Sequence, residues 1–144
     1  MAKDCVDHAA TLARLDEMPC LTRGLKIHGF HGDAEQFGDL SYYGSDAPAI
    51  RELMDADPAL ARRLHDALPI YAAQVVWAAR REMARTVDDV LARRTRALLL
   101  NAAAAIDMAG DVARLLAAEL GRDQQWEHDQ AARFTATARN YLVH

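Results

Sequence analysis

The sequence predicts an all-α fold, a single bundle of roughly six to eight mostly short helices. Three observations carry that expectation. The apolar half of the composition is filled largely by Ala and Leu, while glycines number 7, prolines 4 and aromatic residues 6%. Ala and Leu are strong helix formers, whereas sheets favour Val, Ile, Thr and aromatics. Apolar residues recur at spacings of three and four, and capping residues punctuate those runs. A chain of 144 residues is also long enough to bury a core as one domain without disulfides or a metal.

Residues 1–15 read as a helix in which Val6, Ala9, Ala10 and Ala13 share a face while Cys5 and Leu12 lie elsewhere. A helix apolar on two sides is expected to be sandwiched between layers. Asp16 to Gly32, with Pro19, Gly24, Gly29 and Gly32, reads mostly as loop, with a short extended piece at Leu25–His28. Asp33-Ala34-Glu35-Gln36 has the form of a capping box. It opens a short helix to Tyr43 that Gly44 ends. Ser45 or Asp46 caps the next helix, over about 47–55. Asp57-Pro58 starts another, carrying Leu60 and Leu64 and stopping before Pro69. A helix over about 71–85 follows, with Ala72, Val75, Val76, Ala79 and Met83 on one face. Thr86 is the N-cap of the next, whose buried stripe is Val87, Val90, Leu91 and Leu98. Gly110 and Gly121 read as C-caps bracketing Val112, Leu115, Leu116 and Leu120. A last helix from about 123 carries Trp126, Phe134 and Tyr141.

Several chemistries find no support. The net charge of −4 is no footprint for nucleic acid. The longest apolar run, about Ala97–Ile106 and broken by Asn101, is far short of the roughly 20 residues a membrane span needs. Cys5 and Cys20 do not make a disulfide framework and read as reduced thiols. His28 and His31 alone do not supply the three or four ligands of a zinc site, so no metal is expected. Gly24 and Gly29 have phosphate-loop spacing, but Phe30 and His31 stand where Lys and Ser or Thr belong. The G-x-G-x-x-G turn of a dinucleotide fold and the G-x-S-x-G elbow do not occur.

The densest segment is Trp77 to Arg96, where six arginines are interleaved with three acids. Most of these charges, Arg85 and Arg93 among them, read as a solvated face or as groups meeting a partner domain. Two positions stand apart. Arg94 lies seven residues after Val87 and four before Leu98, inside the apolar stripe. A buried guanidinium needs a partner, and Glu82, flanking the apolar face of the preceding helix, is the nearest candidate. A Glu82–Arg94 pair would lock two helices together; the alternative is that Arg94 reaches a carboxylate or phosphate on a partner. Trp77 projects away from the Val75/Val76/Ala79 face, either toward an interface or under a neighbouring helix. That gives its helix two packing sides.

The arrangement R-x-E-M-A-R-T-x-x-D-x-L-x-R-R-T over Trp77–Arg96 resembles the C-terminal helical domain of FAD-dependent glycerol-3-phosphate dehydrogenases and the related α-glycerophosphate oxidases. Leu21-Thr22-Arg23-Gly24-Leu25-Lys26-Ile27-His28-Gly29 resembles the lead-in loop of that domain, and Tyr43-Gly44-Ser45-Asp46 its Tyr-Gly turn. Met1-Ala2-Lys3-Asp4-Cys5-Val6-Asp7 resembles the helix joining it to the flavin part, which makes residues 1–15 the connecting helix. The resemblance implies a parent enzyme that oxidises sn-glycerol 3-phosphate to dihydroxyacetone phosphate, passing a hydride to FAD and electrons to quinone, or to oxygen in the oxidases. It implies a cytoplasmic parent held peripherally on the inner membrane. It implies no catalytic and no cofactor-binding residue within these 144: FAD belongs to the parent, none to this segment. The partners it implies are the FAD and substrate domains of the same chain, with homo-oligomerisation open. Isolated, the domain is expected to be an inactive structural module. The competing reading is a stand-alone helical regulatory or protein-interaction domain.

Overall fold

The structure, a computed structural model, describes residues 2–16 and 18–142. Met1, first in the expected connecting helix, Glu17 in the expected loop, and the terminal Val143 and His144 lie outside the described residues. The fold is all-α with one small hairpin. Helix α1 covers Ala2–Ala13, and a 3-10 turn covers Leu21–Arg23. A 3-10 segment, Ala34–Asp46, leads into α2, Ala47–Ala56. Strands β1 (Arg63–His65) and β2 (Leu68–Tyr71) precede α3, Ala72–Arg81. A π-helical turn, Asp89–Arg94, is followed by α4 (Ala97–Leu100), α5 (Ala102–Leu120) and α6 (Gln124–Ala138), with a last 3-10 turn at Arg139–Tyr141.

Two apolar clusters hold the body together. The larger draws Ile70 from β2, Val75 and Ala78 from α3, Leu91 from the π turn, Met108, Val112 and Leu116 from α5, and Phe134 from α6. The smaller joins Leu40, Tyr43, Ala47 and Ile50 to Ala73, with Phe37, Leu53 and Trp77 packed against it. Helix α3 lies between them and feeds both, which gives it the two packing sides read from its sequence. The small Ala side chains of α3 and α5 allow close helix approach, since burial there is limited by backbone separation rather than side-chain bulk. Helices α5 and α6 form an αα-hairpin about Gly121, whose φ of 62° is the left-handed C-cap a glycine takes without strain. Asn101 and Asp123 cap the two helices, accepting from the backbone N–H of Ala104 at 3.0 Å and of Trp126 at 2.8 Å.

Several expectations are corrected. Helix α1 is not sandwiched: none of its residues is buried. Asp33 makes no side-chain cap; instead Gln36 Nε2 donates to the Asp33 carbonyl oxygen at 2.7 Å. Asp46 likewise makes no side-chain cap at α2, because its carboxylate is taken by His28. The Asp57-Pro58 helix does not propagate. Asp57 Oδ1 accepts from Ala59 N–H and one turn forms, but the chain then enters the hairpin. There Leu68, Pro69 and Ile70 alternate in, out and in, with Pro69 where no donor is required. Helix α3 ends at Arg81 rather than near 85. Met83 takes a φ of 56°, and the N–H groups of Glu82 and Ala84 both return to the Ala78 carbonyl. Gly110 sits inside α5 and ends nothing.

Candidate functional site

The residues singled out by sequence meet where α3 ends and the π turn begins. Thr86 and Asp89 cap that turn reciprocally. Thr86 N–H donates to Asp89 Oδ2 at 3.0 Å, and Asp89 N–H donates to Thr86 Oγ1 at 3.1 Å. Arg85 N–H donates to the same Asp89 oxygen at 3.0 Å. Burial acts to raise the Asp89 carboxyl, but the Arg85 and Thr86 donors outweigh it and hold it below the usual carboxylate range. The turn is wider than an α-helix, for Thr95 N–H and Thr95 Oγ1 both donate to the Val90 carbonyl, at 2.9 and 2.8 Å.

That wider turn explains why Arg94 is not inside the apolar stripe. Val87, Val90, Leu91 and Leu98 are buried as expected, yet the residue inserted by the π turn rotates Arg94 outward, and its side chain is about half exposed. Arg94 nevertheless reaches the end of α3. Its Nη2 donates to the Glu82 carbonyl oxygen at 2.7 Å, and its Nε lies 3.7 Å from Glu82 Oε2. Arg85 turns back onto the same helix end, Nη1 donating to the carbonyls of Ala79 at 3.1 Å and Ala84 at 2.9 Å. Both arginines thus satisfy carbonyls left open where α3 stops. Arg93 faces another way and pairs with Asp88 and with Asp89, the latter at 2.8 Å.

Trp77 lies against the smaller cluster, with the Arg81 guanidinium 6.0 Å from its ring centroid. Its Nε1 is buried with no hydrogen bond of normal geometry, though near enough to Glu82 to favour the carboxylate. Burial pushes the Glu82 carboxyl up, and the Asp46 carboxylate adds to that; Arg94, Trp77 and His28 pull the other way without cancelling it.

The sequence reading missed a second layer beside this pair. Gln74 is fully buried; its Oε1 accepts from Tyr71 N–H at 2.6 Å and its Nε2 donates to Tyr42 Oη at 2.5 Å. Desolvation raises Tyr42, although that residue is more than half exposed overall, and burial raises Tyr43, whose hydroxyl is buried with no hydrogen-bond partner. A polar Gln within an Ala-Ala-Gln-Val-Val run was the available signal. The lead-in loop is stapled here too. His28 Nε2 lies 2.7 Å from Asp46 Oδ2, and Ser45 N–H donates to the Gly29 carbonyl at 3.1 Å. A Cβ on Gly44 would sit 1.8 Å from that Gly29 oxygen, so the close approach requires glycine. His31 does not join His28: its Nδ1 accepts from Asp33 N–H, and its ring meets Phe37 edge-on. Among the described residues no three His, Cys, Asp or Glu side chains converge as a metal site would need.

The segments gathered here, 21–29, 43–46 and 77–96, are those that carry the resemblance. Residues 20–127 match the family described as the C-terminal domain of alpha-glycerophosphate oxidase. The chain belongs to that family. It is also 31% identical over 146 aligned positions to a probable mitochondrial glycerol-3-phosphate dehydrogenase of Caenorhabditis elegans. That alignment covers 84% of this chain but 20% of the relative, so the chain spans about a fifth of the length of the protein it matches. No solved structure matches it. The family match ends at 127, within α6, so the rest of that helix and the last turn lie beyond it. No described helix is long and apolar enough to cross a membrane.

Proposed function

We propose that these 144 residues act as the C-terminal helical domain of an FAD-dependent enzyme that oxidises sn-glycerol 3-phosphate to dihydroxyacetone phosphate, with electrons leaving through the flavin to quinone. The observation that supports this is the family match over 20–127, together with a relative named a glycerol-3-phosphate dehydrogenase. On this reading residues 1–15 are the connecting helix and the FAD and substrate domains of the parent are the partners. The parent sits peripherally on a membrane.

The residues present do not fit an FAD cradle. A dinucleotide site of the common kind is built where a glycine-rich turn leads from a parallel strand into a helix. Here the sheet among the described residues is a two-stranded antiparallel hairpin, and the glycines sit at loop turns and helix ends or, for Gly110, within α5. No step of the reaction is therefore routed through this domain. Its work is mechanical: Glu82, Arg94 and Arg85 fasten the end of α3 to the π turn, Arg93 braces that turn, and Trp77 fills the seam with the smaller cluster.

Purified chain is expected to bind no flavin and to leave glycerol 3-phosphate unoxidised with an artificial acceptor dye. The longer gene product, detected by antibody in its native source, is expected to do both. A flavin absorption band and turnover from the 144 residues alone, or a native product no longer than they are, would overturn the reading.

A further inference from the structure

Apart from Met83 after the end of α3, the large apolar side chains exposed among the described residues of the body gather at one place. Leu99 and Leu100 are 66% and 68% exposed at the end of α4, and Tyr42 and Tyr141 flank them across adjoining grooves that share Leu100. Arg96 lines the same surface. Its neighbours are committed, Arg93 to Asp88 and Asp89, Arg94 to Glu82. Among the described residues Arg96 alone of the three has no ion-pair partner. It is also held in a left-handed conformation, φ 58° and ψ 17°, which favours Gly or Asn over Arg. Its backbone carbonyl receives the N–H groups of both Leu99 and Leu100, so the strained residue fixes where the leucines stand.

We propose that this face, centred on Arg96, Leu99 and Leu100, is where the domain docks onto the remainder of its longer chain. The occupant is an apolar protein patch carrying a carboxylate opposite Arg96. This rests on the domain reading above. Two features name the occupant. The relative continues for four-fifths of its length outside the matched region, so a large protein surface accompanies this domain. A lone guanidinium beside apolar side chains, desolvated on docking, demands an acidic counterpart. Residues 2–30 also carry exposed apolar side chains and a left-handed arginine, Arg14 at φ 54°, but none of their described residues is buried, so that segment has no core of its own to hold such a surface in place.

The test compares the 144-residue chain with the longer gene product by hydrogen–deuterium exchange, each as wild type and as Arg96→Gly. Amide exchange over 97–101 is expected to slow at least about tenfold in the longer product. Arg96→Gly should abolish that protection while leaving the melting temperature of the 144-residue chain unchanged or higher, since glycine accepts the left-handed backbone. Protection confined to another surface, such as 2–30, overturns the docking face and leaves the domain reading standing. Protection nowhere overturns both. Protection that survives Arg96→Gly, or a lowered melting temperature of the isolated variant, overturns the role given to Arg96.

Discussion

Residues 2–30 and the body that follows are built from similar apolar amino acids, yet they are used in opposite ways. In the first stretch Val6, Leu12, Leu15, Met18, Leu21, Leu25 and Ile27 are all exposed. In the body Ile50, Leu91, Met108 and Leu116 are essentially sealed. Helix α1 is as clearly amphipathic as α3, so periodicity alone does not separate them. What separates them is a second surface. Helix α3 has one on each side, and α1 buries none of its residues against the described part of the chain. An apolar face reports that a partner is required, not that the partner is local.

The largest effect expected is on the buried side of that contrast. Leu116→Ala removes a sealed side chain from α5 and should cost about 2–5 kcal/mol in urea unfolding. Leu12→Ala in α1 should stay within about 0.5 kcal/mol, because the side chain is already in water. Equal losses would show that the two regions share one core. Next comes the seam between them. Gly44→Ala places a methyl group against the Gly29 carbonyl at a backbone angle of φ 54° and ψ −120°. About 1–3 kcal/mol should be lost from strain alone. The Ser45 amide should lose its exchange protection as the lead-in loop detaches. An unchanged Ser45 amide would mean that the loop is not held there.

Much of this was legible beforehand. Ala and Leu content points to the all-α class, and Gly121 ends one helix and the next begins near 123 for local reasons that survive in any context, whereas the Asn101 cap that opens α5 is not among the boundaries the sequence reading places. The region from Asp57 to Tyr71 was not. Leu60, Leu64, Leu68 and Ile70 fit a helix or a strand about equally over so short a run. The decision came from packing against α3 and α5, and Arg62 and His65 reach Asp111 and Asp107 on α5 only in the hairpin. Arg94 failed differently. Its position in the stripe was right by count, but a π turn adds one residue, and no local signal in Asp89–Arg94 announces it. Glu82 and Arg94 lie 12 residues apart and can be paired from sequence, whereas Gln74 meets Tyr42, and Asp46 meets His28, only through long-range approach.

A smaller effect is expected inside the body at the cap. Asp89→Ala removes the acceptor shared by the Arg85 and Thr86 N–H groups and a partner of Arg93, and should cost about 1 kcal/mol. The Asp89 carboxyl is held low, so its contribution is present above the ordinary aspartate value and is lost as pH falls through the depressed one. Wild type and variant should therefore converge in stability only in strong acid. A constant gap down to low pH would remove the carboxylate from the explanation.

The smallest effect falls at the end of α3, and its sign is the informative part. Glu82 is paired with Arg94, yet burial and the nearby Asp46 carboxylate raise its carboxyl above the ordinary glutamate value of about 4.3. A raised acid binds its proton more tightly in the folded chain than in the unfolded one. Stability from this group is therefore full below the unfolded value and declines as pH climbs through the folded one. At neutral pH the charged Glu82 is a net burden despite its arginine. Glu82→Gln keeps the shape, leaves the 2.7 Å bond from Arg94 to the residue 82 carbonyl in place, and removes the burden. The variant should match or slightly exceed wild type at pH 7, fall to equality or below under acid conditions, and show a flatter stability profile between them. Because Asp46 also holds His28, a variant that instead loses stability at pH 7 while the Ser45 amide opens would show that Glu82 serves the loop rather than α3. The boundary between the two regions would then move to the end of α3.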